Sequence, residues 1–405
     1  MLFRRWPGAR QPIVAGALAS LLLGANLASP LYGVYRERFG FNSLVLTLVF
    51  AVYALVLAPS LLLFGELSDR VGRRPVILGG LVMGTIALGL FAVASSVAWL
   101  FAARIAQGIS VGMASGAATA ALVEIDVAAD SRRAAVLATL AQTLGGAAGP
   151  LLTGILAEWL PAPRVLSYSV GMVACATAAA LLLTMPEPGQ PRGGAWSVPR
   201  PSVPREIRVA FARVAATGAA VWAVVALFFS VVPSFATERL GTHNLAVLGA
   251  ISSVVLVCSS VSQIASRDTI QPRLAQALGL GLLTAGLAAL VLASATDSAI
   301  VLIAASVLAG TGHGLGFLGA QDDLNRIAPP ARRGEINAAL YTCIYLGVAL
   351  PVIGVGVLAD LTTLTTAVVV FAFVTGTAAV SVAAWHILSE RAPASRGGAA
   401  SDRGT

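Results

Sequence analysis

Long apolar runs separated by short polar segments organise this chain. Twelve runs approach the roughly 20 residues that a helix needs to cross a bilayer. They cover 13–33, 43–64, 76–95, 98–121, 135–157, 165–184, 209–232, 245–265, 274–293, 298–318, 336–358 and 366–388. The runs mix Ala, Leu, Val and Gly without strict alternation, so helices are predicted rather than the alternating strands of a membrane β-barrel. Residues 185–208 interrupt the pattern. Pro186, Pro188, Pro191, Pro199, Pro201 and Pro204 stand there with Arg192, Arg200, Arg205 and Arg208, a composition that predicts an extended linker. The expected architecture is an all-α membrane protein of twelve transmembrane helices. A six-helix bundle over 1–184 is followed by the linker, a second six-helix bundle over 209–388 and a disordered tail over 389–405. The run after Arg10 is too long for a cleavable signal peptide and reads as the first span.

Composition sharpens this picture. Of 405 residues, 57% are hydrophobic and 11% charged, with mean hydropathy +0.86. A soluble domain carries about 25% charged residues, so a soluble enzyme is excluded. The net charge is +8, and all 26 basic residues are arginine. A basic soluble chain would suggest nucleic acid, but these arginines lie between apolar runs, so no nucleic-acid partner is expected. With the N-terminus inside, twenty-one arginines fall on the inner side and four on the outer (Arg36, Arg38, Arg164, Arg239). Arg104 lies within a span. This bias predicts that both termini are cytoplasmic. Cys175, Cys258 and Cys343 sit in separate runs without metal-ligand spacing. Neither a disulfide nor a cofactor nor a metal is expected.

The two halves are copies. A shift of 202 residues places Gly154-Ile155-Leu156-Ala157-Glu158 on Gly356-Val357-Leu358-Ala359-Asp360, Leu144-Gly145 on Leu346-Gly347, and Gly108 and Gly112 on Gly310 and Gly314. Each half holds an even number of helices, so the copies share one orientation. That is a parallel repeat about an axis along the membrane normal, with a pathway expected between the halves.

The loop after the second run reads Gly65-Glu66-Leu67-Ser68-Asp69-Arg70-Val71-Gly72-Arg73-Arg74-Pro75. It resembles the signature of the major facilitator superfamily, and the whole chain is similar to that family's drug–proton antiporters. Gly65 and Gly72 would allow close backbone approach and unusual dihedrals. The resemblance implies a conformational latch of Gly65, Asp69, Arg70, Gly72, Arg73 and Arg74, with the start of the eleventh helix as partner. Ser266-Arg267-Asp268 and Pro272-Arg273 form a decayed echo in the second half.

Arg104-Ile105-Ala106-Gln107-Gly108 resembles a motif of proton-coupled facilitators, in which the arginine tunes a nearby acid. Arg104 lies about 9 Å inside its span at 1.5 Å per residue, where a charge is costly and usually functional. The alternative is an arginine snorkelling to the surface. Gly108, Gly112 and Gly116 form a strip for close helix packing. Gly145 to Gly154, with Gly149 and Pro150, resembles the fifth-helix motif of exporting antiporters. Pro150 would bend the helix, and the glycines would allow tight contact between halves. Leu23-Gly24 followed by Pro30 resembles a first-helix pattern of the same group. Asn26 there bonds either a substrate or another helix.

No Asp or Glu lies near the middle of a span, which favours neutral or anionic substrates over multivalent cations. Glu124, at the inner end of the fourth run, and His313, in the glycine-rich tenth run, are the titratable candidates for proton coupling beside Arg104 and Gln107. Packing explains His313 equally, and Glu124 is placed to pair with Arg132 or Arg133. Asn26, Pro30, Tyr53 and Trp222 are the substrate-contact candidates. The expected protein is a monomeric carrier in a bacterial inner membrane that exports small hydrophobic or amphipathic compounds by proton antiport. The alternative is a proton-coupled importer of a sugar or organic acid.

Overall fold

A computed structural model describes residues 10–125, 131–189, 193, 201–267, 269–329 and 332–391. Among the described residues, twelve helices are long and apolar enough to cross a membrane, and their order follows the predicted runs. The first span is broken: α1 (Arg10–Asn26) ends before a 3-10 turn over Ser29–Leu31, and α2 (Tyr32–Phe39) continues. Pro30 in that turn has no N–H to donate, which removes one helical bond at the break. The N-terminal half is completed by α3 (Ser43–Val71), α4 (Arg73–Ala92), α5 (Val97–Ile125), α6 (Ser131–Trp159) and α7 (Pro163–Leu183).

The second half repeats the plan. α8 (Arg208–Ser230) breaks at Val231 and continues as α9 (Val232–Leu240). There follow α10 (Leu245–Ser266), α11 (Pro272–Thr296), α12 (Ala299–Ile327), α13 (Arg333–Leu361) and α14 (Leu364–Arg391). Of the predicted linker, residues 201–204 have no regular secondary structure and a 3-10 turn over Arg205–Ile207 leads into α8. Residues 190–192 and 194–200 lie outside the described part, as does the predicted tail beyond Arg391.

Each half has its own apolar core. One gathers Leu18, Tyr35, Ile77, Phe91, Leu100 and Tyr168, the other Val224, Phe228, Phe235, Leu280, Leu290 and Leu302. Large apolar side chains also face outward, such as Ile300 at 80% and Phe373 at 75% exposure. In water these would be a liability; in a bilayer they are the lipid-facing surface. The halves meet where α3 packs on α13 and α6 on α10.

Candidate translocation site

At one face of the bundle the repeat closes on itself. The Asn42 side chain caps α3 by accepting from Val45 N at 3.0 Å, and Asn244 caps α10 from Val247 N at 3.0 Å. A carboxylate from the opposite half completes each cap. Asp360, at the end of α13, accepts from Ser43 N at 2.9 Å and Leu44 N at 3.1 Å. Glu158, at the end of α6, accepts from Leu245 N at 2.8 Å. A helix N-terminus offers unpaired N–H groups and a positive dipole end, so a carboxylate suits it. Glu158 and Asp360 are related by the 202-residue shift, as are Ser43 and Leu245. Arg36 and Glu238 are themselves equivalent positions and pair at 3.5 Å across the axis. Ser29 Oγ donates to Phe229 O at 2.6 Å between the two helix breaks.

Close packing lies beneath these bonds. A Cβ on Gly249 would fall on the Pro150 carbonyl, and one on Gly154 would fall on Leu245. The fifth-span motif therefore does two jobs. Gly154 and Pro150 meet α10 of the other half, whereas Gly145 and Gly149 admit Ala19 and Leu23 of α1 within their own half. Gly146, where a Cβ would fall on Leu256, and Ala147, whose carbonyl accepts from Ser253 Oγ at 2.7 Å, also face α10, so the predicted contact between halves holds for one face of the motif and not for Gly145 and Gly149.

The opposite, arginine-rich face is built differently. Arg73 pairs with Asp69, with Glu124 at 2.8 Å, and donates to Ser68 Oγ at 2.7 Å. The Glu187 carboxylate, from the first linker residues, accepts from Arg73 N at 2.5 Å and Arg74 N at 3.2 Å. Arg74 also donates to Leu183 O at 2.6 Å, and Arg70 pairs with Glu66 at 2.6 Å. These bonds tie α3, α4, α5 and the linker into one cluster within the first half. Glu124 is thus held by Arg73; the side chains of its predicted partners, Arg132 and Arg133, lie outside the described residues. Gly72 has φ +106°, which only glycine adopts without strain. Gly65 is different: a Cβ there meets nothing within 4 Å and its φ is not positive. The expectation of close approach at Gly65 is not met.

Arg104 does not snorkel. It is 2% exposed and points into the first half. It donates to Ala25 O at 3.0 Å, to Gln107 Oε1 at 2.7 Å and to the Tyr32 hydroxyl, while Gln107 Nε2 donates to Gly24 O at 3.0 Å. The rings of Tyr32, Phe50, Tyr53 and Phe91 surround the guanidinium at 5.3 to 5.6 Å, a cation–π cage. Among the described residues no carboxylate pairs with it. Ala25 and Gly24 end α1, where Pro30 has removed the next donor. The Arg104–Gln107 pair thus satisfies carbonyls that the helix break leaves open. Gly108 and Gly112 let α5 lie on Tyr53 and Ser60 of α3, whereas Gly116 meets nothing within 4 Å.

Aromatic side chains gather between the halves. Trp222 of α8 stands perpendicular to His313 at 4.8 Å and to Phe317 at 5.6 Å, both on α12. Trp222 and Phe50 of the first half pack on one small apolar cluster with Tyr345 of α13; Tyr345 also shares a second with Tyr53. Gln263 Nε2 donates to Ser259 Oγ at 3.0 Å, and Ser259 Oγ lies 2.8 Å from His313 Nδ1. A hydroxyl can accept from Gln263 and still either donate to Nδ1 or accept from it, so this contact ties down Nδ1 in both tautomers. His313 Nε2 and Trp222 Nε1 are both buried without a hydrogen-bond partner. Two other substrate candidates are engaged elsewhere: Asn26 donates to Leu22 O at 2.8 Å within its own helix, and Pro30 is buried in the helix break. Among the described residues no group of His, Cys, Asp and Glu could hold a metal ion.

The family model of the Major Facilitator Superfamily matches residues 14–352. The chain belongs to the major facilitator superfamily. As a facilitator it is a multi-pass membrane transporter, not an enzyme. It is 35% identical over 136 residues to the cephamycin export protein of Amycolatopsis lactamdurans, which covers 33% of this chain and 28% of that relative. It is 32% identical over 150 residues to the class C tetracycline resistance protein of Escherichia coli, covering 36% and 37%. The chain thus spans about a third of the length of these curated relatives. A solved facilitator, a bacterial homologue of the human lysosomal transporter Spinster in an inward-facing, unoccupied conformation, matches with TM-score 0.75 at 16% identity. That likeness covers 96% of this chain and 97% of the other, and it shows the fold.

The buried polar side chains also include a group that sequence reasoning missed. Arg213, Gln276, Asp323 and His386 come together inside the second half, from four different helices. In the sequence Asp323 sits at the inner end of a span; only the packing of the four helices buries it.

Proposed function

We propose that this facilitator exports small hydrophobic or amphipathic compounds, neutral or anionic, by proton antiport with alternating access. The observation that carries the reading is the aromatic cluster of Tyr53, Trp222, His313, Phe317 and Tyr345. It lies where the halves meet, offers the Trp222 N–H donor and the His313 Nε2 without hydrogen-bond partners, and presents no carboxylate. Flat apolar molecules with a hydrogen-bond acceptor suit such a lining, and a multivalent cation does not. The names of the two relatives, an antibiotic exporter and an antibiotic resistance protein, support export.

In this mechanism the arginine-rich face is cytoplasmic and the face sealed by Glu158 and Asp360 is outward. A substrate enters from the cytoplasm, the two carboxylates leave their helix caps, and the halves rock about the axis. The cluster around Asp69 and Arg73 forms the inner latch, and its partner in the outward-facing state is the start of α13. The transporter acts as a monomer in the bacterial inner membrane with both termini in the cytoplasm. Arg104 serves coupling indirectly, by holding the broken first span beside Tyr53.

The test is a compound panel that includes tetracycline and a cephamycin, scored in an efflux-deficient host with and without the gene. Inverted vesicles then report whether proton-driven uptake accompanies resistance. Resistance to no compound, or uptake indifferent to the proton gradient, overturns the reading. Arg104→Ala leaves the ends of α1 unsatisfied in an apolar setting; it is expected to cost about 3 kcal/mol in stability, read as a lower melting temperature in detergent.

A further inference from the structure

The aromatic cluster between the halves does not end at Phe317. Along α12, His313, Phe317 and Gln321 follow at intervals of four residues and so share one helix face. His313 and Phe317 stack at 5.8 Å with their rings 14° apart. Along α13, Tyr345 and Tyr341 are one turn apart and stack at 6.3 Å. Tyr345 shares an apolar cluster with Tyr53 and Leu57 of α3, so this side of α13 faces the first half, and Tyr341 lies on the same side. The two rows join toward the arginine-rich face, where Gln321 Nε2 donates to the Tyr341 hydroxyl at 3.2 Å. At the other end stands Trp222 of α8, a helix that packs against both α12 and α13.

The polar groups of this strip sit at its two ends. At one, the Trp222 N–H and His313 Nε2 have no hydrogen-bond partner. At the other, the Gln321–Tyr341 bond leaves the tyrosine its proton and the amide its Oε1, and neither has a further partner among the described residues. Turning the amide over exchanges the roles and again leaves a donor beside an acceptor. The glutamines that brace helices elsewhere, Gln107, Gln263 and Gln276, are buried. Gln321 is only half-buried, as are Tyr341, Tyr345, Phe317 and Trp222, so the strip keeps an open side. His313 and Gln321 are two turns apart, about 12 Å along α12. Between the ends the lining is the ring surface of Phe317 and Tyr345, which carries no charge.

We propose that this strip is one elongated binding site, with Trp222 at one end and the Gln321–Tyr341 pair at the other, and that it selects ligands by length and by the polar groups at their two ends. The proposal rests on the export reading and narrows its substrate class. The ligand is a flat, rigid molecule about 12 Å long, uncharged or anionic. One end carries a hydrogen-bond acceptor for the Trp222 N–H. The other carries an amide-type edge, with donor and acceptor side by side, for Gln321 and Tyr341. The rings of the ligand lie along Phe317 and Tyr345. A molecule without the amide-type edge forfeits the second end, and a site built to bond a polar group discriminates strongly against ligands that lack it.

Equilibrium binding to purified full-length protein in lipid, without a proton gradient, tests this with two probes. Tetracycline has a linear frame of fused rings with a carboxamide at one end and a phenol at the other. Anthraquinone sulfonate is flat and anionic but offers acceptors and no donor. Trp222→Phe is expected to weaken both probes about tenfold, by loss of the N–H bond. Gln321→Leu and Tyr341→Phe are each expected to weaken tetracycline about tenfold and to leave anthraquinone sulfonate unchanged. Tyr341→Phe keeps the ring and its stacking, so it carries the test if Gln321→Leu does not fold. Three results overturn the proposal: a wild type that binds tetracycline no more tightly than anthraquinone sulfonate, Gln321 and Tyr341 variants that bind tetracycline as the wild type does, or variants that lose both probes alike. Since nothing is transported in these measurements, failure here is distinct from failure of the export reading, which resistance and vesicle uptake decide.

Discussion

The two faces of this transporter solve one problem in two ways. The sealed face is symmetric: two carboxylates and two asparagine caps are related by the repeat, as are Gly154 against Leu245 and Gly356 against Ser43 and Leu44, and each carboxylate bonds backbone of the opposite half. The arginine-rich face is one-sided. Its bonds run among Asp69, Arg73, Glu124 and Glu187 and hold a loop of the first half and the linker. The difference teaches where closure is local and where it joins the halves. Bonds that cross between halves stabilise one conformer against another, whereas bonds inside a half move with it as a body.

Several substitutions break or sharpen this contrast. Gly249→Leu is expected to have the largest effect, because its side chain would replace the contact with the Pro150 carbonyl. Overpacking of about 2 kcal/mol should depopulate the sealed conformer roughly 30-fold, seen as lengthened spin-label distances at that face. Gly65→Ala at the other face is the control, and unchanged distances and turnover are expected. Asp360→Asn and Glu158→Gln each remove the charge of a cap, about 1 kcal/mol or some fivefold in the same distance ratio. The double variant should be additive, since the sites share no partner. Asp69→Asn or Glu124→Gln should leave those distances nearly unchanged while lowering vesicle transport a few-fold. An equal loss of the sealed conformer would show that the arginine-rich cluster also bridges the halves. Arg36→Ala should be smallest, within about 0.5 kcal/mol in melting temperature measurements, because both partners are solvated.

Much of this was legible in the sequence. Hydropathy sets the twelve helices, since a long apolar run without alternation satisfies its backbone in a bilayer as a helix and not as a barrel strand. The repeat already aligned Glu158 with Asp360. It could not show their partners, which are the N–H groups of Ser43 and Leu245 and leave no side-chain signature. The matching Asn42 and Asn244 could have pointed there. The break of the first span was marked by Pro30, yet the role of Arg104 followed only when Ala25 and Gly24 were seen to need donors. The motif glycines illustrate the limit from the other side. Gly145, Gly149 and Gly154 read as one pattern, but the chain neighbours that make one face inward and another across the interface lie in α1 and α10. Burial of Asp323 was hidden for the same reason: it depends on four helices at once.

The pairing of Arg36 with Glu238 carries a last consequence. These are the same position in the two copies, set face to face on the axis. Two N-terminal halves assembled in this geometry would oppose arginine with arginine, and two C-terminal halves glutamate with glutamate. The pair therefore adds a preference of about 0.5 kcal/mol for unlike halves, which a split gene expressing the halves separately should show as a roughly twofold excess of unlike over like assemblies relative to Arg36→Ala.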